Sequence, residues 1–200
     1  MNSSSFWSRS RHRQIWTLAL PMIFSNITVP LLGLVDAAVI GHLEHAYYLG
    51  GVALGSMLMS LMIWLCGFLR MSTTGFVAQA VGTDDLQQQG AVLIQGTWIA
   101  LVLSALLLIV QPSLLSFGLW MSGPSDDVAL YATTYISIRI WSLPFSLLSM
   151  LCLGWLLGRR RPKLAMYQVI FTNLCNIVLD LIFVLGLGFG VEGAAIARGC

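Results

Sequence analysis

The sequence predicts an all-α membrane protein, and three observations carry that prediction. Apolar residues make up 58% of the 200-residue chain and charged residues only 9%, too little charge to cover a soluble surface. The apolar residues fall in runs of about 20, the length a helix needs to cross roughly 30 Å of hydrocarbon. The basic residues are gathered into clusters, a pattern that reports orientation in a membrane. Ten Lys and Arg against eight Asp and Glu leave the chain near neutral, so no nucleic acid or acidic substrate is implied as a partner.

The runs place spans at 15–40, 49–81, 91–110, 128–157 and 164–187, with the start of a sixth at 191–200. Span 15–40 follows three arginines as a secretory signal would, but it exceeds a signal's apolar core, contains Pro21, Pro30 and Asp36, and is followed by further spans, so it reads as a retained helix. Span 49–81 is apolar to Phe68 and more polar after it. Span 91–110 holds no charge. The stretch 113–121, with Phe117 and Trp120, is too short to cross and reads as an interfacial segment. Only half a span follows the glycine-rich turn 186–190; a helix end needs protein cover inside a bilayer, and the chain is expected to be one truncated lobe of a larger molecule.

Orientation follows from the basic clusters. Arg9, Arg11 and Arg13 precede the first span, and Arg159, Arg160, Arg161 and Lys163 follow the fourth. An even number of crossings separates them, so both lie on one side, which the positive-inside rule makes cytoplasmic. The outer segments carry no Lys or Arg.

Four ionisable residues fall within spans: Asp36, Arg70, Arg139 and Asp180. The arginines are long enough to snorkel, Arg70 toward the cytoplasm and Arg139 as an outer-interface anchor. The aspartates are short. At about 1.5 Å per residue, Asp180 stands roughly 25 Å from Lys163 and Asp36 nominally 34 Å from Arg13, less after the proline bends. Both carboxylates therefore reach similar depth in the outer half. They are either interfacial acids or a proton or cation site, and intramembrane acids favour the second. Asn176 precedes Asp180 by four residues and shares its helix face, with Asn173 a turn earlier.

Other features point away from catalysis. No Ser-His-Asp set, phosphate loop or zinc signature is present, so the chain is read as neither an enzyme nor a cofactor carrier, with no catalytic or metal-binding residues. His42, Glu44 and His45 are too few for a metal centre. The four cysteines have no paired spacing and read as buried free thiols. Gln79, Gln95 and Gln168 bond to neighbouring helices or line a cavity.

Leu20 and Pro21, the run 35–43 (VDAAVIGHL), the run 73–82 (TTGFVAQAVG), Tyr135 and Arg139 with Leu143, Pro144 and Phe145, and Asn176, Asp180 and 186–197 resemble the multidrug and toxic compound extrusion family, and within it the DNA-damage-inducible branch of bacteria. The resemblance implies a bacterial inner-membrane, multi-pass protein with a cytoplasmic N-terminus. It implies a two-lobed, twelve-helix transporter of which this chain supplies the N-terminal lobe, five full transmembrane helices plus the start of a sixth. Such a transporter exchanges protons, or sodium, for amphipathic or cationic small molecules, and its C-terminal lobe is missing here. It places Pro21 as a helix-bending residue and Asp36, Asn176 and Asp180 in one polar cluster. Arg198 departs from the family's usual small hydroxyl residue, and an arginine near the carboxylates would hold them ionised.

The working expectation is a proton-coupled antiporter in which desolvation favours the neutral carboxyl of Asp36 or Asp180. Protonation would then repack the bent first helix and expel the substrate. The rivals are a sodium-coupled exporter, a lipid-linked oligosaccharide flippase of the same superfamily, and an inactive fragment or non-transporting assembly protein.

Overall fold

The computed structural model describes residues 46–180 together with Ile23 and Ile182. Pro21, Asp36, Arg198, the expected first and sixth spans and the His42, Glu44 and His45 loop lie outside the described residues, as does the side chain of Asp180.

Among the described residues every regular element is helical. Three stretches, Tyr47–Gly82, Leu86–Ser122 and Asp126–Gly158, are long and apolar enough to cross a membrane. The first comprises α1 (Ala46–Leu65) and α2 (Phe68–Gly82), the second is α3 (Leu86–Ser122), and the third joins α4 (Asp126–Arg139) to α5 (Leu143–Gly158) through a 3-10 turn, Ile140–Ser142. A further helix, α6, covers Pro162–Asp180.

Local chemistry explains the interruptions. At the α1–α2 junction the Gly67 N–H donates to the Trp64 carbonyl at 2.9 Å and the Cys66 N–H to the Ile63 carbonyl at 3.1 Å, so the chain tightens by one residue per bond before resuming. In the third stretch Pro144 has no N–H for the Ile140 carbonyl four residues back. That carbonyl instead accepts from the Leu143 N–H, which is the 3-10 spacing.

The expected interfacial segment 113–121 is corrected by the structure: it forms the last turns of α3, which runs without a break through Pro112. One lost bond does not stop a helix within a membrane protein, where nearby hydroxyls and helices satisfy the freed groups. Here Pro112 withholds one N–H from the Leu108 carbonyl, and Gly118 beyond it packs against Leu58 of α1. Gly123, at φ 54°, ends α3 by donating its N–H to the Leu119 carbonyl at 3.0 Å.

Packing pairs α1 with α4 and α2 with α5, lays α3 against α2 and α5, and rests α6 on α5. The paired rods are parallel and in step: Gly51 and Gly55 meet Tyr131 and Tyr135, while Gly154 and Gly158 meet Thr73 and Val77. Both glycine sets have the G-x-x-x-G spacing that lets membrane helices approach closely. The motif sits on the first rod at one end and on the second rod at the other. A Cβ on Gly51 would stand 2.5 Å from the Tyr131 Cβ, and one on Gly158 would stand 2.7 Å from the Val77 Cβ. The Thr74 hydroxyl adds a bond to the Gly154 carbonyl at 3.1 Å.

Size, more than polarity, marks the buried faces. On α3 the interior positions include Gly96, Ala100, Ser104 and Gly118, whereas Ile109 and Trp120 are 77% and 79% exposed. Lipid is as apolar as leucine, so packing selects small residues for contact and leaves large ones outside. The large buried side chains, among them Met59, Tyr135, Ile136, Leu147 and Leu151, fill the space between the rods. Cys66 is buried, but Cys152 is exposed, contrary to the expectation that the thiols are interior.

Candidate functional site

Helix α6 is polar on its inner face and apolar on its outer one. Ala165 and Asn176 are buried and Gln168, Thr172 and Asn173 are half-buried, while Leu164, Tyr167, Phe171, Leu174 and Val178 are exposed. This reverses the arrangement of a helix on a soluble protein, and it turns Gln168 onto Ser149 of α5 and Asn173 into the cavity beside it.

A cavity of about 740 Å³ lies between α6, α5 and the α1–α2 junction. Ser60, Trp64, Arg70, Ser149, Gln168 and Asn173 are among its lining residues. Arg70 owes its place there to the Cys66 and Gly67 break just before it. The sequence reading sent this side chain to the cytoplasmic surface; it is exposed, but it borders the cavity.

Gln168 is fixed by two bonds from its Nε2, to the Ser149 carbonyl at 2.8 Å and the Ser149 Oγ at 3.0 Å. Its Oε1 is buried without a hydrogen-bond partner. Both readings of this glutamine hold: it ties α6 to α5 and it lines a cavity. Gln79 and Gln95 are exposed.

Asn176 stands two turns beyond Gln168 on the same face. Only 8% of its surface is exposed, and its Oδ1 is buried with no hydrogen-bond partner. A buried amide oxygen left bare costs roughly 1–3 kcal/mol, so its retention needs a reason outside packing. That oxygen can only accept, so its complement is an O–H, an N–H or a cation. Asp180 follows one turn later on the same face by helical register. Of the four expected site residues, then, the structure places Asn176 fully and the backbone of Asp180, while Asp36 and Pro21 lie outside its described part.

A second polar pair appeared in the sequence only among the residues of the family resemblance, with no contact assigned to it. Tyr135 is fully buried, and the Arg139 guanidinium donates to its hydroxyl and lies 5.6 Å from its ring centroid. Arg139 is half-buried, with its Nε bare. Its guanidinium is therefore turned onto a buried neighbouring ring and hydroxyl. The spacing of four residues between Tyr135 and Arg139 is the signal that could have revealed the contact. No group of three or more His, Cys, Asp or Glu side chains able to hold a metal occurs among the described residues.

Comparison with known proteins gives this geometry a context. The MatE family model matches residues 21–182. The chain is 46% identical over 188 residues to "DNA damage-inducible protein F" of Escherichia coli (strain K12), covering 94% of this chain and 41% of that protein. It is 28% identical over 178 residues to "Probable multidrug resistance protein NorM" of Caulobacter vibrioides, covering 87% of this chain and 37% of that one. Among solved structures it resembles the "outward-facing conformation of a multidrug resistance MATE family transporter of the MOP superfamily", with a TM-score of 0.84 and 26% identity over 92% of this chain and 41% of that one. The chain thus spans about two-fifths of the length of the relatives it matches.

Proposed function

The chain belongs to the MatE family of multidrug and toxin extruders, and from that premise we propose that it forms the N-terminal lobe of a proton-coupled antiporter. In this reading it exports organic cations or other toxic amphipathic compounds across the bacterial inner membrane, with the N-terminus in the cytoplasm. Asp36 and Asp180 carry the coupling proton, Asn176 reads its presence, and Pro21 lets the first helix bend.

The observation that carries this reading is the bare Oδ1 of Asn176. A protonated carboxyl one turn away supplies the O–H that this oxygen lacks, whereas an ionised carboxylate offers only a second acceptor. The amide therefore stabilises the protonated form of its neighbour and loses that partner on deprotonation. Loss of the bond biases the packing of α6 against the elements around it, and the cavity beside Arg70 and Gln168 is the space such a rearrangement would reshape.

Transport in proteoliposomes tests the proposal. Under an imposed pH gradient, Asp36→Asn and Asp180→Asn in the complete two-lobed transporter should each impair coupled efflux, and Asn176→Ala should weaken it. Unchanged proton-driven efflux in both aspartate variants would overturn the assignment. A second reading rests on the same bare oxygen: Asn176 Oδ1 also suits a sodium ion, a hard cation that takes oxygen ligands. Efflux driven by a sodium gradient, with no response to pH, would select it.

A further inference from the structure

Helix α5 ends in a complete Schellman motif, with the Arg161 N–H on the Leu156 carbonyl and the Arg160 N–H on the Leu157 carbonyl, both at 3.0 Å. The left-handed position of that motif belongs to glycine by preference, because a Cβ there crowds the following carbonyl. Here it is occupied by Arg160, at φ 55°. Its neighbours Arg159 and Arg161 and the nearby Lys163 bring four cations into five residues. None of the four forms an ion pair among the described residues. Arg159 lies 4.6 Å from the Trp155 ring; Arg160, Arg161 and Lys163 point into the open. The turn that ends α2 carries Asp84 and Asp85, of which Asp85 caps α3 by accepting from the Gln88 N–H at 2.8 Å.

Two further features give this unpaired basic cluster a direction. The Trp155 indole N–H donates to the Gln89 carbonyl of α3 at 3.0 Å, so the ring that carries Arg159 is pinned at the rim, where amphipathic aromatics mark a membrane–water boundary. Directly above the basic turn, Leu164, Tyr167, Phe171, Leu174 and Val178 form one exposed apolar stripe along α6. A fixed cationic rim continuing into an apolar stripe is complementary to a molecule with an anionic head and hydrocarbon tails.

We infer that this rim is a binding site for an anionic phospholipid, whose phosphodiester sits on Arg159, Arg160, Arg161 and Lys163 while its acyl chains lie along the α6 stripe. In the orientation proposed above the site belongs to the cytoplasmic leaflet. The inference uses residues that the coupling mechanism does not, so it can fail or succeed by itself.

Native mass spectrometry of the purified chain, titrated with palmitoyl-oleoyl phosphatidylglycerol or phosphatidylcholine, tests it. Phosphatidylglycerol should bind more tightly than phosphatidylcholine. Each arginine changed to glutamine should weaken it by about fivefold, the effect of one basic residue at an anionic surface, so Arg159→Gln/Arg160→Gln/Arg161→Gln should abolish the preference. Arg160→Gly guards against misfolding: it removes a charge while relieving the left-handed backbone, so it should keep or raise the melting temperature and still lose phosphatidylglycerol affinity. Equal affinity for the two lipids, or undiminished phosphatidylglycerol binding in the triple variant, would overturn the site. Displacement of the lipid by millimolar inorganic phosphate would overturn the lipid assignment in favour of a free-phosphate site.

Discussion

Gly154 of α5 lies against Arg70 of α2 so closely that a Cβ placed on it would come within 2.7 Å of the Arg70 carbonyl oxygen. The obstructing atom is main chain, so no rotamer change relieves the contact. The consequence is a sharp difference between glycines that look alike in the sequence. Gly154→Ala should lower stability by about 1–3 kcal/mol, as overpacking does. Gly75→Ala in α2, where nothing lies within 4 Å, should raise it by about 0.5–1 kcal/mol through helix propensity. Thermal unfolding in one detergent compares the two, and equal effects would refute the close-packed seam.

Asn176 separates stability from function. Its Oδ1 is buried and bare, so Asn176→Leu removes an unsatisfied group, and the fold should be unchanged or stabler by up to about 2 kcal/mol. Proton-linked efflux should nevertheless fall. A variant that melts well below the parent would show that the amide is a structural bond and not a sensor.

Tyr135 and Arg139 should behave as a coupled unit. Tyr135→Phe deletes the oxygen that accepts from the guanidinium and should cost about 1–3 kcal/mol, the range for a buried group deprived of its partner. In a double-mutant cycle with Arg139→Met, a coupling of at least about 0.5 kcal/mol is expected. Strict additivity would mean that the contact contributes nothing.

Arg70 brings a positive charge to the cavity wall. Its side chain is exposed, so Arg70→Gln should alter stability by no more than about 0.5 kcal/mol. Removing the like charge should tighten binding of a fluorescent organic cation by about fivefold, the factor for about 1 kcal/mol of repulsion at close range. Identical dye titrations for parent and variant would place the dye elsewhere.

What could be read from residues alone follows from what repeats along the chain. Membrane character is a property of long runs, and the polar inner face of α6 follows from the spacing of Asn176 and Asp180, so both were legible. Contacts between distant segments were not. Gly51 and Gly55 pair with Tyr131 and Tyr135 because of how two rods lie together, and the motif alone does not name its partner. The extension of α3 through Pro112 was missed because a proline in water usually ends a helix, while packing of Gly118 against Leu58 supports it here. The turn of Arg139 onto Tyr135 was not drawn because depth along a helix says nothing about which way the side chain turns. Asp36 and Pro21 lie outside the described residues, so their roles stand as proposals.

The two parallel rods touch main chain to side chain near both ends, with glycines contributed first by one and then by the other. Sliding either rod by a single residue would drive a Cβ or a carbonyl into one of those notches. The pair is therefore a keyed shaft that can tilt as a whole but cannot change register. Any alternation of access in the lobe must come from elements that move around this shaft, and crosslinks between the rods, unlike crosslinks to α6, should leave transport running.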